Sequence, residues 1–253
     1  MKKLNFIIKY GLALLLLSFY SCESWLNVTP SDRLSEEMLF NDREGFVKAL
    51  NGVYIELNTN ELYGRNLTAG ALDVMGQYYS VASSSHAFYN YGGLVYTGNA
   101  LFDNMWQKCY AVIACCNTII EKCDENKAGL SPVWRGSIKG EALALRAMLH
   151  FDMLRLFGPL TSELDKESIP YQTNSDQTVT PLLSGSEVVG LILDDLKNAV
   201  GLLKDTDPYF VEEEFSDTDL NYRRFRMNYF AAKGLMARVQ LWGGDKEKAA
   251  ITA

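Results

Sequence analysis

The stretch 140–159, with the sequence GEALALRAMLHFDMLRLFGP, constrains the fold of this chain more than any other part of it. Apolar residues recur at helical spacing, and neighbouring apolar residues widen this stripe beyond that of an ordinary surface helix. The pattern predicts one long helix that other elements cover on most sides. We expect it to end at Gly158 and Pro159, because Gly can adopt the left-handed C-cap conformation and Pro cannot continue the hydrogen-bonding ladder. The stripe consists of Leu143, Ala147, Phe151, Leu154 and Phe157, widened by Ala142, Leu145, Met148 and Leu149.

The same periodicity predicts further helices on both sides of this stretch. Asn41 and Glu44 form a capping-box-like start, and Ser184 and Glu187 form a second capping box, each followed by apolar residues at helical spacing. A fold that is mainly α follows from this pattern. The additional helices are predicted over about 44–57, 104–123, 187–203 and 227–242, the last ending at Gly243 and Gly244.

Four cysteines, Cys109, Cys115, Cys116 and Cys123, fall on one of these predicted helices. Cys109, Cys116 and Cys123 are spaced by seven residues, which is about 10.5 Å per interval along a helix. That distance is too large for a disulfide within the helix or for one shared metal ion. We therefore predict that these three are core thiols.

The amino terminus has the layout of a secretory signal peptide. Lys2 and Lys3 precede a short apolar stretch at 12–17, which is too short to span a bilayer. Ser21 and Cys22 follow, and a small residue before Cys indicates lipoprotein processing, with Cys22 as the lipidated terminus. Plain secretory cleavage is the alternative, since the residues before Ser21 fit a lipoprotein signal poorly.

The long predicted helix also carries a family resemblance. It is similar to the signature helix of SusD-like (RagB/SusD) outer-membrane lipoproteins, whose pattern runs close to GEA-x-x-LRA-x-x-x-F-x-x-x-R-x-FG. The stretch 238–250 resembles the ARV-x-L-x-x-G-D-x-x-x-A run of the same family, where it forms a tetratricopeptide-type turn, and 24–32 resembles the start of the mature proteins. The matching helix residues are Gly140, Glu141, Ala142, Leu145, Arg146, Ala147, Phe151, Arg155, Phe157 and Gly158.

The resemblance implies tetratricopeptide-like helical hairpins joined by long loops, one of which could form a small β-hairpin. We expect a signal peptide at 1–21, a lipid-anchored segment at 22–40 and a SusD-like helical domain at 41–253. SusD-like proteins are roughly twice as long, so the chain is expected to represent their amino-terminal half, truncated at its carboxyl end. A shift of 85 positions aligns Ala147 with Ala232, which supports repeated helix pairs.

The usual signatures of catalysis are missing from the sequence. The chain has two histidines and contains no H-E-x-x-H zinc pair, G-x-S-x-G nucleophile elbow or G-x-x-x-x-G-K-[ST] phosphate loop. His150 is predicted to be structural, whereas His86 lies in a Ser-rich stretch and could touch a ligand. Removal of 1–21 deletes three lysines and moves the formal charge from −7 to −10, which argues against a nucleic-acid partner.

Acidic residues give no clear catalytic or metal site either. Two carboxylates can hydrolyse glycosides, but Asp194 and Asp195 are predicted to lie on the solvated face of a helix. The acidic run 205–219 is predicted to be a loop. Asp217, Asp219 and Asn221 resemble the start of a calcium loop, but Tyr222 stands where Gly is required and Asn228 where the bidentate Glu is required. A looser calcium site stays open. The sequence predicts no enzyme, no metal and no cofactor.

The segment 70–102 is the best candidate for a ligand surface. It combines several tyrosines with Gly, Ser and Asn, and such a mixture offers rigid flat faces together with adaptable hydrogen bonding. Sugars suit this chemistry, because an aromatic ring covers the apolar face of a pyranose while polar side chains bind its hydroxyls. The alternative is that these rings pack the loop onto the helices or form a small hairpin. The candidate ligand residues are Tyr78, Tyr79, Tyr89, Asn90 and Tyr91.

The resemblance implies a lipid-anchored protein on the outside of an outer membrane. Such proteins capture glycan oligomers and deliver them to a SusC-like TonB-dependent transporter, on which they lie as a lid. Peptide capture, as in RagB-like relatives, is the alternative within the binding proteins. A surface glycoside hydrolase is the alternative from another functional class.

Overall fold

The computed structural model of the chain describes residues 36–78, 81, 100–176, 178–212, 215–216 and 222–253. The chain divides into two units, Met1–Leu39 and Phe40–Ala253. The first unit contributes one helical turn to the described residues, and the helical fold belongs to the second.

Helices dominate the described residues, so the prediction of a mainly α fold is confirmed. In the described ranges, no helix is both long enough and apolar enough to cross a bilayer. The elements are α1 (Glu36–Leu39), α2 (Arg43–Leu57), α3 (Ala71–Met75), α4 (Ala100–Glu125), α5 (Pro132–Phe157), β1 (Glu167–Pro170), β2 (Leu182–Ser184), α6 (Gly185–Thr206), α7 (Tyr229–Trp242) and α8 (Lys246–Thr252).

The long predicted helix, α5, is the centre of the fold and packs against α2, α4, α6 and α7. It begins two turns before the predicted start, because Ser131 caps it by accepting a hydrogen bond from the Trp134 N–H at 3.3 Å and Pro132 fits the first turn. Its apolar residues are buried on nearly all sides, as the wide stripe predicted. Phe151, for example, is only 1% exposed.

Glycines allow α5 and α6 to approach each other closely. A Cβ atom at Gly136 would lie 2.6 Å from Thr206 Cγ2, and one at Gly140 would lie 2.8 Å from Leu203 Cγ. Both distances are shorter than van der Waals contact. The first residue of the GEA motif is therefore fixed by helix packing.

The end of α5 differs from the prediction in its backbone conformation. The helix stops at Phe157 as expected, but Gly158 has φ −84° and ψ 179°, which is extended and not left-handed. Pro159 explains the difference, because the residue before a proline is driven towards the extended region. Glycine is still required there, since a Cβ atom would lie 2.4 Å from the Leu154 carbonyl oxygen.

The other helix boundaries confirm some predicted caps and correct others. The capping box of Ser184 and Glu187 is present at the start of α6. At α2 the cap is Asp42 and not Asn41, because the Asp42 carboxylate accepts from the Gly45 N–H at 2.8 Å. Helix α4 is longer than predicted at both ends, while α7 begins after its cap residue Asn228.

The cysteines on α4 lie where the heptad spacing places them. Cys109, Cys116 and Cys123 are free and buried, so the prediction of core thiols is confirmed, whereas Cys115 is exposed. Burial raises the pKa of Cys123 to about 12, which keeps this thiol protonated at neutral pH. Among the described residues, the fold therefore uses these cysteines as small apolar groups.

Two short strands join α5 to α6. Strands β1 and β2 pair antiparallel, with Glu167 opposite Ser184 and Pro170 opposite Leu182. The described residues thus contain one small two-stranded pair, at a position that the sequence did not indicate. It leads the chain from the carboxyl end of α5 to the start of α6, so α6 can run back along α5.

The turn between α7 and α8 has the expected tetratricopeptide-type form. Gly244 has φ +91°, a conformation that favours glycine, and Asp245 caps α8 by accepting from the Lys248 N–H at 3.1 Å. Ala147 and Ala232, which the 85-residue shift aligns, are both fully buried. Both observations agree with stacked helix pairs.

Candidate functional site

The predicted ligand residues fall mainly outside the described residues. Tyr78 is described and is 82% exposed, so its ring is open to solvent. Tyr79, Tyr89, Asn90 and Tyr91 lie outside the described residues, and their role stays a prediction. Cys22 and His86 lie outside them as well.

The described residues on either side of the segment 70–102 contact the carboxyl end of α5. Before it, the Tyr63 hydroxyl donates a hydrogen bond to Asp152 Oδ2 at 2.7 Å. At its other end, Phe102, the last residue of the segment, and Trp106 just after it contact the Phe157 ring edge to face, with centroids 6.5 and 5.0 Å apart. Both connections of the predicted ligand segment are therefore attached to the same end of the central helix.

A buried ionic cluster surrounds Glu141 near the amino end of α5. Arg223 donates to Glu141 and also binds Asp207 with two nitrogens, Nε to Oδ1 at 3.0 Å and Nη2 to Oδ2 at 2.5 Å. Arg226 donates from Nε to Glu141 Oε1 at 2.8 Å, and the Tyr54 hydroxyl donates to the same carboxylate. We call Glu141, Asp207, Arg223, Arg226 and Tyr54 the amino-end cluster.

The amino-end cluster joins α2, α5 and the segment that leads into α7. Asp207 is completely buried and accepts from the Tyr229 N–H at 2.8 Å, so it also satisfies the first turn of α7. Burial alone would lower the pKa of Arg223, but the carboxylates of Glu141 and Asp207 raise it. The predicted loop 205–219 is corrected here, because Asp205 lies within α6 and Asp207 is an interior ion-pair partner.

A second buried cluster surrounds Arg146, five residues (about one and a half turns) further along α5. Arg146 binds Asp195 on α6 in a bidentate manner, with Nε to Oδ2 and Nη2 to Oδ1 both at 2.7 Å. Its Nη1 donates to Asn117 Oδ1 on α4 at 2.8 Å, and the Tyr171 hydroxyl donates to Asp195 Oδ2 at 2.6 Å. We call Arg146, Asp195, Asn117, Tyr171 and His150 the central cluster.

The central cluster corrects one prediction. Asp195 was predicted to lie on a solvated helix face, but it is 7% exposed and its charge is paired with Arg146. Asp194 beside it is exposed. Since one carboxylate is held by Arg146 and the other points elsewhere on the helix, this pair is not arranged for glycoside hydrolysis.

The structural role predicted for His150 is confirmed. The ring is fully buried and stacks on Tyr171, with centroids 3.9 Å apart. Its Nε2 accepts from the Gln172 N–H at 3.0 Å, so Nδ1 carries the proton and donates to the Arg146 carbonyl at 3.0 Å. Burial lowers the pKa of His150 to about 3, so the ring is neutral at physiological pH.

A cleft of about 510 Å³ lies at the amino end of α5, between that helix, α2 and the segment that joins α6 to α7. We call it the aromatic cleft. Its polar groups include Ser137, the Glu141, Arg223 and Arg226 side chains of the amino-end cluster, and Asn51, which accepts from Arg226 Nη1 at 2.6 Å. A volume of this size is typical of ligand pockets. Its aromatic residues are Tyr54, Trp134, Phe215, Tyr222 and Phe225.

Sequence reasoning missed the aromatic cleft. Its residues come from three parts of the chain that are distant in sequence, and no single motif contains them. One local signal was available, namely the alternation of rings and arginines in Tyr222-Arg-Arg-Phe-Arg226. Arg226 stacks over Tyr54 at 4.6 Å, which connects that run to α2.

Metal binding finds no support in the residues that the structure describes. Within those ranges, no group of three His, Cys, Asp or Glu side chains is placed to hold a metal ion. The stretch 217–221, which contains the calcium-like acidic residues, lies outside the described residues.

Comparison with known proteins assigns the family. A SusD-like family model, described as "Starch-binding associating with outer membrane", matches residues 24–241. The chain belongs to the SusD-like family. The match includes both ionic clusters of α5, so Glu141 and Arg146 of the signature motif act in this SusD-like chain as buried ion-pair partners.

Several SusD-like relatives are similar to the chain over part of their length. One SusD-like protein of Formosa agariphila is 25% identical over 264 aligned positions, which cover 99% of this chain and 45% of the relative. Another from the same organism is 26% identical over 196 positions, covering 71% and 34%. The chain thus spans less than half the length of these relatives.

Solved structures agree with the helical fold. A SusD-like carbohydrate-binding protein from Bacteroides vulgatus is 26% identical and superimposes with a TM-score of 0.68, covering 84% of this chain and 44% of that one. A SusD superfamily protein from Bacteroides thetaiotaomicron has a TM-score of 0.65 at 22% identity, covering 83% and 45%. The second likeness concerns the fold alone.

Proposed function

We propose that this chain is part of a cell-surface lipoprotein that binds glycan oligomers and performs no chemistry on them. The match of residues 24–241 to the SusD-like family carries this proposal. The carbohydrate-binding relative from Bacteroides vulgatus supports the ligand class. The absence of a catalytic motif from the sequence is consistent with binding without turnover.

The segment 70–102 is the proposed ligand surface. Its tyrosines provide flat faces for sugar rings, and Asn90 provides hydrogen bonds to hydroxyl groups. The exposed ring of Tyr78 at the start of this segment supports the proposal. Tyr63 before the segment and Trp106 after it contact α5, so both connections of the proposed ligand surface are attached to that helix.

The proposed ligand role of Tyr89 and Tyr91 can be tested directly. These two residues alternate along the segment, so in an extended loop both rings face the same side and form one platform. Replacing both by Ala should weaken binding to whichever of soluble starch, laminarin or xylan the parent binds. The helical circular dichroism and the melting temperature should stay nearly unchanged. Unchanged affinity for every bound glycan would rule out the platform.

The proposed partner is a SusC-like TonB-dependent transporter in the outer membrane. The protein would lie on this barrel as a lid, capture glycan when open and close over the pore afterwards. Attachment would come from lipid on Cys22, and one acyl chain alone anchors a protein only marginally, so several chains are required. Replacing Cys22 by Ala should release the protein from the membrane fraction. Continued retention in the membrane would contradict this assignment.

A further inference from the structure

Helix α3 ends in a tight turn that leads directly to the exposed ring of Tyr78. The helix stops at Met75 and is followed by Gly76. The Gln77 N–H donates to the Val74 carbonyl oxygen, and the Tyr78 N–H donates to the Asp73 carbonyl oxygen, both at 3.0 Å. This pair of hydrogen bonds is that of a Schellman motif, so the backbone that carries the Tyr78 side chain is fixed.

The backbone of this turn is strained at Gln77. Its φ is +59°, in the left-handed region that Gly usually occupies at this position of a Schellman motif. In the described ranges, Asn126 is the only other residue besides glycine with a positive φ, and Asn tolerates this region better than most residues do. Gln has no such tolerance and stands here at a cost in stability. Residues held in strained conformations cluster at ligand-binding and active sites.

The ring of Tyr78 is held against the turn but stays in solvent. A Cβ atom at position 76 would come within 3.1 Å of the Tyr78 Cδ2 and Cε2 atoms, so one edge of the ring lies over Gly76. A residue at the position of Tyr78 commonly packs back on the helix, but this ring remains 82% exposed. An aromatic ring that is held in place and open to solvent can stack on the C–H face of a pyranose without first being ordered.

The Gln77 side chain provides a polar group beside this ring. It is exposed and directly precedes Tyr78 in the chain. Its amide has two N–H donors and one carbonyl acceptor, and a sugar hydroxyl both donates and accepts. Gly at position 77 would close the helix at a lower cost but would lack this amide. The strained residue therefore adds hydrogen bonding exactly where a stacked sugar would need it.

We propose that Gln77 is a ligand residue of the glycan site, where its amide binds hydroxyl groups of the sugar that stacks on Tyr78. This inference rests on the proposed function. The left-handed turn at the end of α3 holds both side chains in place before the ligand arrives. Stability is thus lost at Gln77 in exchange for a contact with the ligand.

The test uses two substitutions that separate the amide from the backbone. Gln77→Ala removes the amide and keeps the strain, whereas Gln77→Gly removes the amide and relieves the strain. Binding of soluble starch, laminarin and xylan is measured by affinity electrophoresis and calorimetry. For the glycan that the parent binds, both variants should lose about three- to tenfold in affinity, as expected for one or two hydrogen bonds. The melting temperature should stay unchanged for Gln77→Ala and rise by about 2–4 °C for Gln77→Gly.

Two further variants test where and with what the amide acts. Asn126→Gly makes the same kind of exchange at the other left-handed residue and should bind glycan within twofold of the parent. In a chain that already carries Tyr78→Ala, adding Gln77→Ala should change the affinity less than twofold, because both side chains contact one sugar. Full additivity of the two losses would contradict a shared sugar.

The outcomes for Gln77 and for the proposed function can be told apart. If the parent binds a glycan and Gln77→Gly binds it equally well, the ligand role of Gln77 is overturned while the proposed function stands. A melting temperature that falls in Gln77→Gly would contradict the left-handed turn on which the inference depends. If the parent binds none of these glycans, the proposed function fails and the role of Gln77 fails with it.

Discussion

The two ionic clusters of α5 have similar composition but differ in their access to solvent. In the central cluster, Arg146 and Asp195 are both nearly inaccessible and are covered by α4, α6 and Tyr171. In the amino-end cluster, Glu141 is equally buried, but Arg226 reaches the aromatic cleft. One helix therefore carries a closed cluster and a cluster with an open side.

This difference shows how one motif can stabilise a fold and shape a surface. A buried charge that loses its partner is strongly destabilising, so the closed cluster restricts which residues can stand at Arg146 and Asp195. In the amino-end cluster, Arg223 pairs with both buried carboxylates, whereas Arg226 pairs with Glu141 alone and keeps 22% of its side chain exposed. We expect substitutions to separate these roles.

The largest loss of stability should come from a substitution in the central cluster. Arg146→Met removes the bidentate partner of Asp195 and should lower the free energy of unfolding by about 3–5 kcal/mol. Arg226→Met is the matched change in the open cluster, and it should cost only about 1 kcal/mol, because Glu141 keeps Arg223 and Tyr54. Urea unfolding of both variants measures the difference. Equal losses would remove the distinction between the clusters.

Truncating a buried apolar side chain on the same helix gives a loss of unfolding free energy with which the ionic substitutions can be compared. Phe151 is buried and meets Trp242 edge to face, with centroids 5.6 Å apart. Phe151→Ala should cost about 3–5 kcal/mol through lost transfer energy and a cavity. Ile55→Ala, at a position 69% exposed on α2, should stay within about 0.5 kcal/mol in the same unfolding experiment. A loss below 1 kcal/mol for Phe151→Ala would mean that this face of α5 is not the core.

Next to the amino-end cluster, the packing of α5 on α6 depends on Gly140. Gly140→Ala would place a methyl group against Leu203, and the overpacking should cost about 1–3 kcal/mol. Gly190→Ala on the exposed face of α6 meets no atom within 4 Å and should instead stabilise the protein by about 0.5–1 kcal/mol. Thermal unfolding should therefore shift in opposite directions. Two shifts of the same sign would contradict the packing argument.

Acidification should destabilise the protein through His150 of the central cluster. The pKa is about 3 in the folded protein and about 6.5 when unfolded, so below pH 6.5 the unfolded chain binds the extra proton. The stability from the neutral ring is complete above pH 6.5 and declines towards pH 3. Between pH 7.5 and pH 5 the expected loss is about 2 kcal/mol. His150→Gln should remove this part of the pH dependence in urea unfolding, and an unaltered dependence would contradict the role of His150.

Local features of the fold could be predicted from the sequence. The capping box of Ser184 and Glu187, the core thiols of α4 and the structural role of His150 all depend on residues that lie close together along one helix. The helical periodicity of the sequence shows directly which of these neighbouring residues share a face. The Phe157 end of α5 was also predictable, because Gly158 and Pro159 act on the backbone next to them.

Long-range partners could not be predicted in the same way. Asp195 looked solvated because periodicity places it beside polar residues, and its partner Arg146 is 49 residues away. The aromatic cleft combines α2, α5 and the residues before α7, so only the packed structure shows it. The same limit applies to Asp207, whose burial depends on Arg223.

The most direct test of the account is calorimetric binding to the purified protein. Soluble starch, laminarin, xylan and polygalacturonate serve as glycans, and casein hydrolysate serves as a source of peptides, with released reducing sugar measured in parallel. We expect saturable binding of at least one glycan without release of reducing sugar. Binding of casein peptides with no binding of any of these glycans, or turnover of a bound glycan, would contradict it.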